Sequence, residues 1–295
     1  MVCGMSAVGN AKQNPNHNAT ARAFSVLNLL WQHSNVAVMR SPIPLRLLLI
    51  AFGLSLALGA SGADVRKKLV LLIAEPEYNT AKTLPEFAAK FLEKDFRVVV
   101  VSSAPEPGGS SFEKIPELAD ADLLLVSVRR HTPPTAQMEL IRKHVAAGKP
   151  VVGIRTAGHA FALAGNKKPE TGYADWPEWD AQVLGGHYTG HHEHGPTTTI
   201  TTTKPDDPVL RGVALPFTSL AWFYKESPLR DGTHLLLTGE IPGQPTEPIA
   251  WTFKRADGGK TFFTSLGTVE DFQNPSFQKL LRNGIGWAAG LTPAN

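Results

Sequence analysis

The amino-acid sequence predicts an α/β protein with a mostly parallel central sheet and extra β-strands in its C-terminal half. Three observations lead to this fold class. Short, uninterrupted apolar runs are typical of strands buried on both faces. These runs alternate with segments of helical periodicity over short connections, which is typical of a parallel sheet with helices on its faces. The second half instead contains short β-branched runs separated by glycine and proline.

The first half of the chain alternates strand and helix four times. Its apolar runs predict buried strands over residues 68–74, 97–102, 123–128 and 151–154. Apolar residues at helical spacing predict helices over residues 83–94 and 133–147, the second with proline in its first turn and Gly148 at its end. Residues 104–111 are rich in proline, glycine and serine, which predicts a loop.

The second half is richer in strand signals. We predict short strands over residues 197–203, 233–239, 248–253 and 260–265. An amphipathic helix over residues 274–289, ended by Gly290, closes the chain. Since no repeat or linker interrupts the pattern, residues 64–291 are predicted to form one domain.

Residues 1–63 are predicted to be a leader segment. Residues 39–63 combine cationic residues, a short apolar run and small residues before Asp64, which predicts a signal peptide and an exported, periplasmic or extracellular protein. The apolar run is too short for a stable membrane span, although an uncleaved anchor and a buried helix are the alternatives. Residues 1–38 are either a non-signal extension or a mis-called start before Met39.

Charge and cysteine content exclude several classes of function. The leader has four cationic and no acidic residues, so removing four from 29 leaves 25 basic against 26 acidic residues, a net charge of −1. No basic surface for nucleic acid is therefore expected. Cys3 is the single cysteine and lies in the leader, which excludes disulfides, cysteine-ligated zinc and a cysteine nucleophile in the main domain.

Polar residues follow three of the predicted parallel strands. Because ligands bind beyond the carboxyl ends of such strands, these residues are expected to share one cleft. The candidates for substrate binding at this edge are Glu75, Tyr78, Arg129, Arg155 and Thr156. Arg155 could grip an anion or a pair of sugar hydroxyls, or it could pair with a carboxylate such as Glu75. His159 could act as acid or base, or it could be a satisfied histidine at the start of a short helix.

A glycine-punctuated segment supplies the remaining histidines. His187, His191, His192 and His194 fall within eight residues and could hold a divalent metal such as zinc. The alternative is that they are loop residues without a metal. We select His159, His187 and His191 as candidate acid/base residues. Trp179 and Tyr188 could stack on a sugar, although most aromatic residues of a domain this size belong to the core.

Carboxylates near strand and loop ends offer another chemistry. A pair could perform glycosidic acid/base work if the separation were suitable, which the sequence does not supply. The alternative is that they are surface residues. The carboxylates considered are Asp180, Glu226, Glu240, Glu270 and Asp271.

Several ordered motifs make the mature chain resemble the ThuA-like (trehalose utilisation) family from end to end. The matching segments are residues 152–155, 184–187 with the histidines beyond, 208–212, 247–251, 262–267 and 280–288. This resemblance implies a flavodoxin-like three-layer sandwich related to class I glutamine amidotransferases. It also implies a tie to carbohydrate catabolism.

Two departures from the family pattern limit what can be carried over. The related amidotransferases place a cysteine nucleophile after the strand that ends at Ile154, whereas Arg155 stands here, so the chain is not expected to be a glutamine amidotransferase. Many ThuA-like sequences have histidine at the positions of Arg155 and Thr268. Roles of those histidines therefore do not transfer.

The functional expectation is an exported protein that acts on a carbohydrate or sugar derivative, as a hydrolase or a lyase. The alternatives are a non-catalytic ligand-binding module and a partner subunit of a sugar-modifying enzyme. The expected ligand is a small, sugar-like molecule, with no nucleic acid and no stable membrane span after signal cleavage. The substrate, the ion and the oligomeric state are left open by the sequence.

Overall fold

The computed structural model describes residues 64–106, 109–192 and 197–291 of the 295-residue chain. The predicted leader and His194 lie outside the described residues. Three α-helices are described, α1 (Thr80–Phe91), α2 (Thr135–Ala146) and α3 (Pro275–Ala288). The described strands are β1 (Lys67–Ala74), β2 (Phe96–Glu106), β3 (Gly109–Phe112), β4 (Leu123–Val128), β5 (Val151–Ile154), β6 (Gly190–His191), β7 (Thr198–Thr201), β8 (Phe217–Ser219), β9 (Tyr224–Lys225), β10 (Thr233–Glu240), β11 (Glu247–Lys254) and β12 (Lys260–Thr264).

Ten of these strands form one mixed sheet in the order β3-β2-β1-β4-β5-β12-β11-β10-β7-β8. The strands β2, β1, β4, β5 and β12 run parallel to one another. The remaining pairs are antiparallel. The α/β class and the extra C-terminal strands are as predicted, but the sheet is mixed rather than mostly parallel. The reason is that β11, β10, β7 and β8 pair antiparallel beyond β12, as β3 does with β2 at the other edge.

Burial explains why the parallel strands form where they do. Residues 69–74 of β1 are all buried, and their side chains alternate between two apolar clusters on opposite faces of the sheet. Leu71 packs with residues of α1 and α3 such as Phe87 and Phe277. Leu72 packs with residues of α2 such as Ile141. A strand buried on both faces needs apolar residues at every position, so its sequence shows a run and not an alternation.

The predicted loop over residues 104–111 is wrong in its described part. β2 continues to Glu106, and β3 returns antiparallel to it, with Ser103 opposite Phe112 and Ala104 opposite Ser111. Backbone pairing in this hairpin lies at the edge of the sheet, where proline and glycine are tolerated. Composition therefore indicated a turn, while the flanking backbone extends the sheet.

Helix α3 shows why the C-terminal prediction is accurate to within one residue at each end. The side chain of Asn274 accepts a hydrogen bond from the backbone N–H of Ser276, and Pro275 takes the first helical position. In the described part of the chain, none of the helices has the length and apolar character needed to cross a membrane.

Candidate functional site

The strand register brings the ends of the parallel strands to one edge. Ala74 of β1 lies opposite Val128 of β4, and Ile154 of β5 lies opposite Thr264 of β12. The residues that follow these strands, including Glu75, Arg129 and Arg155, therefore start from the same edge of the sheet. A 3₁₀ turn, Arg155–His159, follows β5 directly. His159 is the last residue of this turn, so the expectation that it starts a helix is wrong.

Arg155 occupies a left-handed turn immediately after β5. Its φ is 45°, a conformation that L-residues other than glycine, asparagine and aspartate rarely adopt. The side chain is 1% exposed. Its Nη1 donates to the carbonyl oxygens of Ser265 at 2.8 Å and Trp222 at 3.3 Å, while its Nε is buried without a hydrogen-bond partner. Arg155 thus joins the end of β5 to residues near β12 and β9.

Two tyrosine rings surround the Arg155 guanidinium. Its central carbon lies 4.2 Å from the Tyr78 ring centroid and 4.8 Å from that of Tyr224, and Nη2 donates to the Tyr78 hydroxyl at 3.2 Å. None of the ion pairs among described residues includes Arg155. The alternative that it pairs with Glu75 is wrong, because the Glu75 carboxylate accepts the backbone N–H of Tyr78 and the hydroxyl of Thr80.

His159 packs on a third tyrosine. Its ring centroid is 4.3 Å from that of Tyr188 in a stacked arrangement and 5.7 Å from that of Tyr224. Burial lowers the pKa of His159 to about 3, and the nearby arginines Arg130, Arg129 and Arg155 act in the same direction. The imidazole is therefore neutral at neutral pH. We call Tyr78, Tyr188 and Tyr224, with Arg155 and His159, the tyrosine cluster.

His191 lies at the exposed side of the tyrosine cluster. It pairs with Tyr224 in the ribbon formed by β6 and β9, and its ring centroid is 5.1 Å from that of the half-buried Trp222. Its Nδ1 lies 2.9 Å from the carbonyl oxygen of His192. Because a carbonyl only accepts, Nδ1 carries the proton, and Nε2 of the neutral ring is the acceptor.

The other histidines of the segment face different neighbours. His187 is exposed and lines a groove of about 1140 Å³ beside the end of α2, together with Trp176, Arg230 and Phe253. His192 is buried, and its Nε2 lies 3.4 Å from Oε1 of Glu247. Across the described ranges, no three His, Cys, Asp or Glu side chains are placed to share a metal ion. His194, the fourth member of the predicted metal set, lies outside them.

Two buried carboxyl groups hold the segment that carries Tyr188. Oδ2 of Asp180 accepts the backbone N–H of Tyr188 at 2.6 Å, and Oε2 of Glu226 accepts that of His187 at 3.3 Å. Their other oxygens are buried without hydrogen-bond partners. Both lie within 4 Å of the position that a Cβ on Gly158 would occupy. Asp180 and Glu226 therefore converge beneath the tyrosine cluster.

The close approach of these carboxyl groups affects their protonation. Burial raises the pKa of Asp180 to about 7, although its bond from Tyr188 acts in the opposite direction. Burial, and then the charge of Asp180, raise the pKa of Glu226 well above its ordinary value. Such a pair holds at least one proton at neutral pH. The alternative that these carboxylates are surface residues is wrong for Glu226, which is 0% exposed, and for Asp271, which is 1% exposed.

The remaining predicted residues have the following surroundings. Trp179 is 1% exposed, packs against Phe161 and donates from its indole to the carbonyl oxygen of Ala157, so it belongs to the core. Thr156 is buried in the turn after β5. Arg129 forms a partly exposed ion pair with Glu77 at 2.7 Å. Glu75 supports the turn before α1.

Several site residues were not selected from the sequence. Tyr224 and Trp222 were not among the selected residues, and Asp180 and Glu226 were considered only as carboxylates near strand and loop ends. β9 has two residues and pairs with a segment more than 30 positions earlier, so no local periodicity marks it. The signal that was available is the concentration of aromatic residues at positions 222–224.

These features define a class of protein: a mixed α/β protein with an aromatic and polar cluster beyond the carboxyl ends of its parallel strands. A family model described as trehalose utilisation, ThuA, matches residues 70–288. The chain therefore belongs to the ThuA family, which confirms the resemblance inferred from its motifs. No curated protein matches the chain.

Two solved structures are similar in fold. A ThuA-like protein from Bacteroides uniformis ATCC 8492 superimposes with a TM-score of 0.55 at 15% identity, covering 76% of this chain and 91% of the other. A ThuA-like protein from Parabacteroides merdae ATCC 43184 gives a TM-score of 0.52 at 18% identity, with 78% and 92% covered. At these identities, the similarity concerns the fold alone.

Proposed function

We propose that this ThuA-family protein binds a carbohydrate or sugar derivative at the tyrosine cluster and acts on it with His191. One observation carries the proposal. The exposed imidazole of His191 lies beside the half-buried Trp222, and its strand partner Tyr224 contacts the guanidinium of the buried Arg155. The half-buried rings of Tyr78 and Tyr188 belong to the same cluster. Aromatic rings provide flat apolar surface for the apolar face of a sugar, while polar groups fix its orientation.

The two histidines of the site have different roles in this proposal. Nε2 of His191 accepts a proton from a sugar hydroxyl or carbon, since Nδ1 is bonded to a carbonyl. His159 remains neutral because its pKa is low, and it supports the Tyr188 ring rather than taking a proton. The reaction class proposed is hydrolysis or elimination at a sugar. Glutamine hydrolysis is excluded, because Cys3 is the single cysteine and no cysteine follows β5.

Binding is checked with a panel of sugars and keto-sugars, added to the purified protein and followed by thermal shift and calorimetry. A ligand selective for the folded state must raise the midpoint of unfolding. Turnover is followed by NMR of the sugar. We expect Trp222→Ala to weaken binding by about tenfold or more, as expected for the loss of a stacking ring. His191→Gln should preserve binding and reduce turnover by about 10²-fold or more. Lys225→Gln, an exposed change in β9, the strand that pairs with the strand of His191, is the control.

The second candidate function is a ligand-binding module without chemistry. It is supported by Arg155, a buried arginine at the position where the related amidotransferases have a cysteine nucleophile. Binding of a sugar that is lost in Trp222→Ala, with no product formed by the wild type, would favour this alternative. A partner-subunit role has less support, because Val65 and Leu220 are the exposed large apolar side chains of the described residues, and they form no extended patch.

We also propose that the chain is exported. The support is the cationic, apolar and small-residue order of residues 39–63. Expression of the full chain, followed by N-terminal sequencing of the secreted product, should give a start near Asp64. Retention of the full chain in the cytoplasm would contradict export.

A further inference from the structure

The carboxyl ends of β1 and β4 form a topological switch point. From β1 the chain passes to β2 on one side, and it later returns to β4 on the opposite side of β1. Connections that leave neighbouring strands in opposite directions open a crevice, and ligands of open α/β sheets bind in such crevices. This crevice is next to the tyrosine cluster, because the backbone N–H of Arg130 donates to the carbonyl oxygen of His159 at 3.1 Å.

A cavity of about 440 Å³ occupies the switch point. This volume lies in the range, about 300–1000 Å³, that is typical of small-molecule sites. Its polar wall consists of Glu75, Ser102, Ser103, Arg129, Arg130 and His131. The cavity therefore contains two adjacent arginines and two serine hydroxyl groups, which are donors to an oxyanion.

The charges in this cavity are unequally satisfied. Glu75 accepts hydrogen bonds from the turn that precedes α1, and Arg129 is paired with Glu77. Arg130 has no carboxylate partner among the ion pairs of the described residues. Its guanidinium donates to the carbonyl oxygen of Ala162 at 3.3 Å, which uses one of its five N–H groups. Its backbone is held in a left-handed conformation, with φ of 47°.

We propose that this cavity is an oxyanion subsite, in which Arg130, with Arg129 beside it, binds the carboxylate or phosphate substituent of a sugar derivative. A planar guanidinium can bind two oxygens of either group at once. The sugar part of this inference rests on the proposed function, whereas the oxyanion part does not. The ligand of the protein is accordingly an acidic sugar and not a neutral one.

Inorganic phosphate tests the subsite without a sugar. The purified full chain is titrated with phosphate by calorimetry in a phosphate-free buffer at constant ionic strength. We expect saturable 1:1 binding that Arg130→Gln weakens by about tenfold or more, with a smaller loss in Arg130→Lys, which keeps the charge but not the planar donors. Arg97→Gln is the matched control, because this substitution removes the same charge at the opposite end of β2. Equal effects of the Arg130 and Arg97 substitutions, or no saturable binding by the wild type, would overturn the subsite.

Glucuronate and glucose then separate the two proposals. We expect glucuronate to bind about tenfold or more tightly than glucose, and Arg130→Gln to remove the difference. If both sugars bind equally and Arg130→Gln changes neither, the oxyanion subsite is wrong and the proposed function stands. If phosphate binding depends on Arg130 but neither these sugars nor the sugar panel bind, the subsite stands and the proposed function is wrong. Thermal unfolding of each variant confirms that it is folded.

Discussion

The imidazole of His159 lies flat on the phenol ring of Tyr188, with ring centroids 4.3 Å apart and ring planes inclined by 28°. The backbone N–H of Tyr188 donates a hydrogen bond to the carboxyl group of Asp180, which holds Tyr188 in place. A buried carboxyl group, a half-buried ring and a neutral histidine thus form one connected unit.

Removing the Tyr188 ring should change the protonation of His159. Tyr188→Ala opens the stacked face of the imidazole to water, so the pKa of His159 should rise from about 3 towards its ordinary value of 6.5. Tyr188→Phe keeps the ring and should leave the pKa of His159 low. NMR titration of the histidine ring carbons measures both. An unchanged pKa in the alanine variant would mean that other neighbours desolvate His159.

The low pKa of His159 predicts a dependence of stability on pH. The unfolded chain takes up a proton near pH 6.5, whereas the folded protein does so only near pH 3, so this contribution to stability is complete above pH 6.5 and is lost as the pH falls from 6.5 to 3. Between pH 6.5 and 5, wild type should lose about 2 kcal/mol relative to His159→Gln. Urea unfolding at each pH measures the difference. A constant difference would show that His159 titrates normally.

Asp180 should have the opposite pH dependence. Its folded-state pKa is raised from 3.8 to about 7, so the stabilisation from its protonated form is complete below pH 3.8 and is lost as the pH rises through 7. Asp180→Asn keeps the shape without the charge. From pH 5 to pH 8, the free energy of unfolding of this variant should increase by about 3 kcal/mol relative to wild type. Glu178→Gln, an exposed neighbour, should show no such trend.

Space beside Asp180 limits what residue 186 can be. A Cβ on Gly186 would lie 2.3 Å from Oδ1 of Asp180, so Gly186→Ala must displace that carboxyl group. We expect a loss of about 2 kcal/mol in the free energy of unfolding, typical of overpacking. Gly286→Ala is the control, because nothing lies within 4 Å of its Cβ position in α3, and it should add about 0.5–1 kcal/mol. Similar effects of both substitutions would contradict the close contact at Gly186.

Two strands in the parallel half of the sheet were predictable to the residue. β4 and β5 have the predicted bounds, Leu123–Val128 and Val151–Ile154. Strands buried on both faces require continuous apolar sequence, and the residue at which that sequence ends marks the edge of the sheet. Arg129 and Arg155 could therefore be assigned to one edge before any coordinates were known.

The irregular half of the site was not predictable. The ribbon of β6 and β9, the π-helical turn Asp180–Leu184 and the β2–β3 hairpin depend on pairing and packing that short segments do not encode. The histidine segment shows this most clearly. His187, His191 and His192 are close in sequence, yet they face a groove, Trp222 and Glu247, respectively.

By itself, the sequence determined the α/β class, the strands of the parallel half, the family, and the absence of a cysteine nucleophile beside β5. Only the tertiary structure decided that Arg155 is buried between two tyrosines, that Asp180 and Glu226 converge, and that Arg130 faces a cavity. The physical reason is that burial leaves a local apolar signature along the chain. The partner of a buried charge or ring is instead brought to it by folding from a distant part of the sequence.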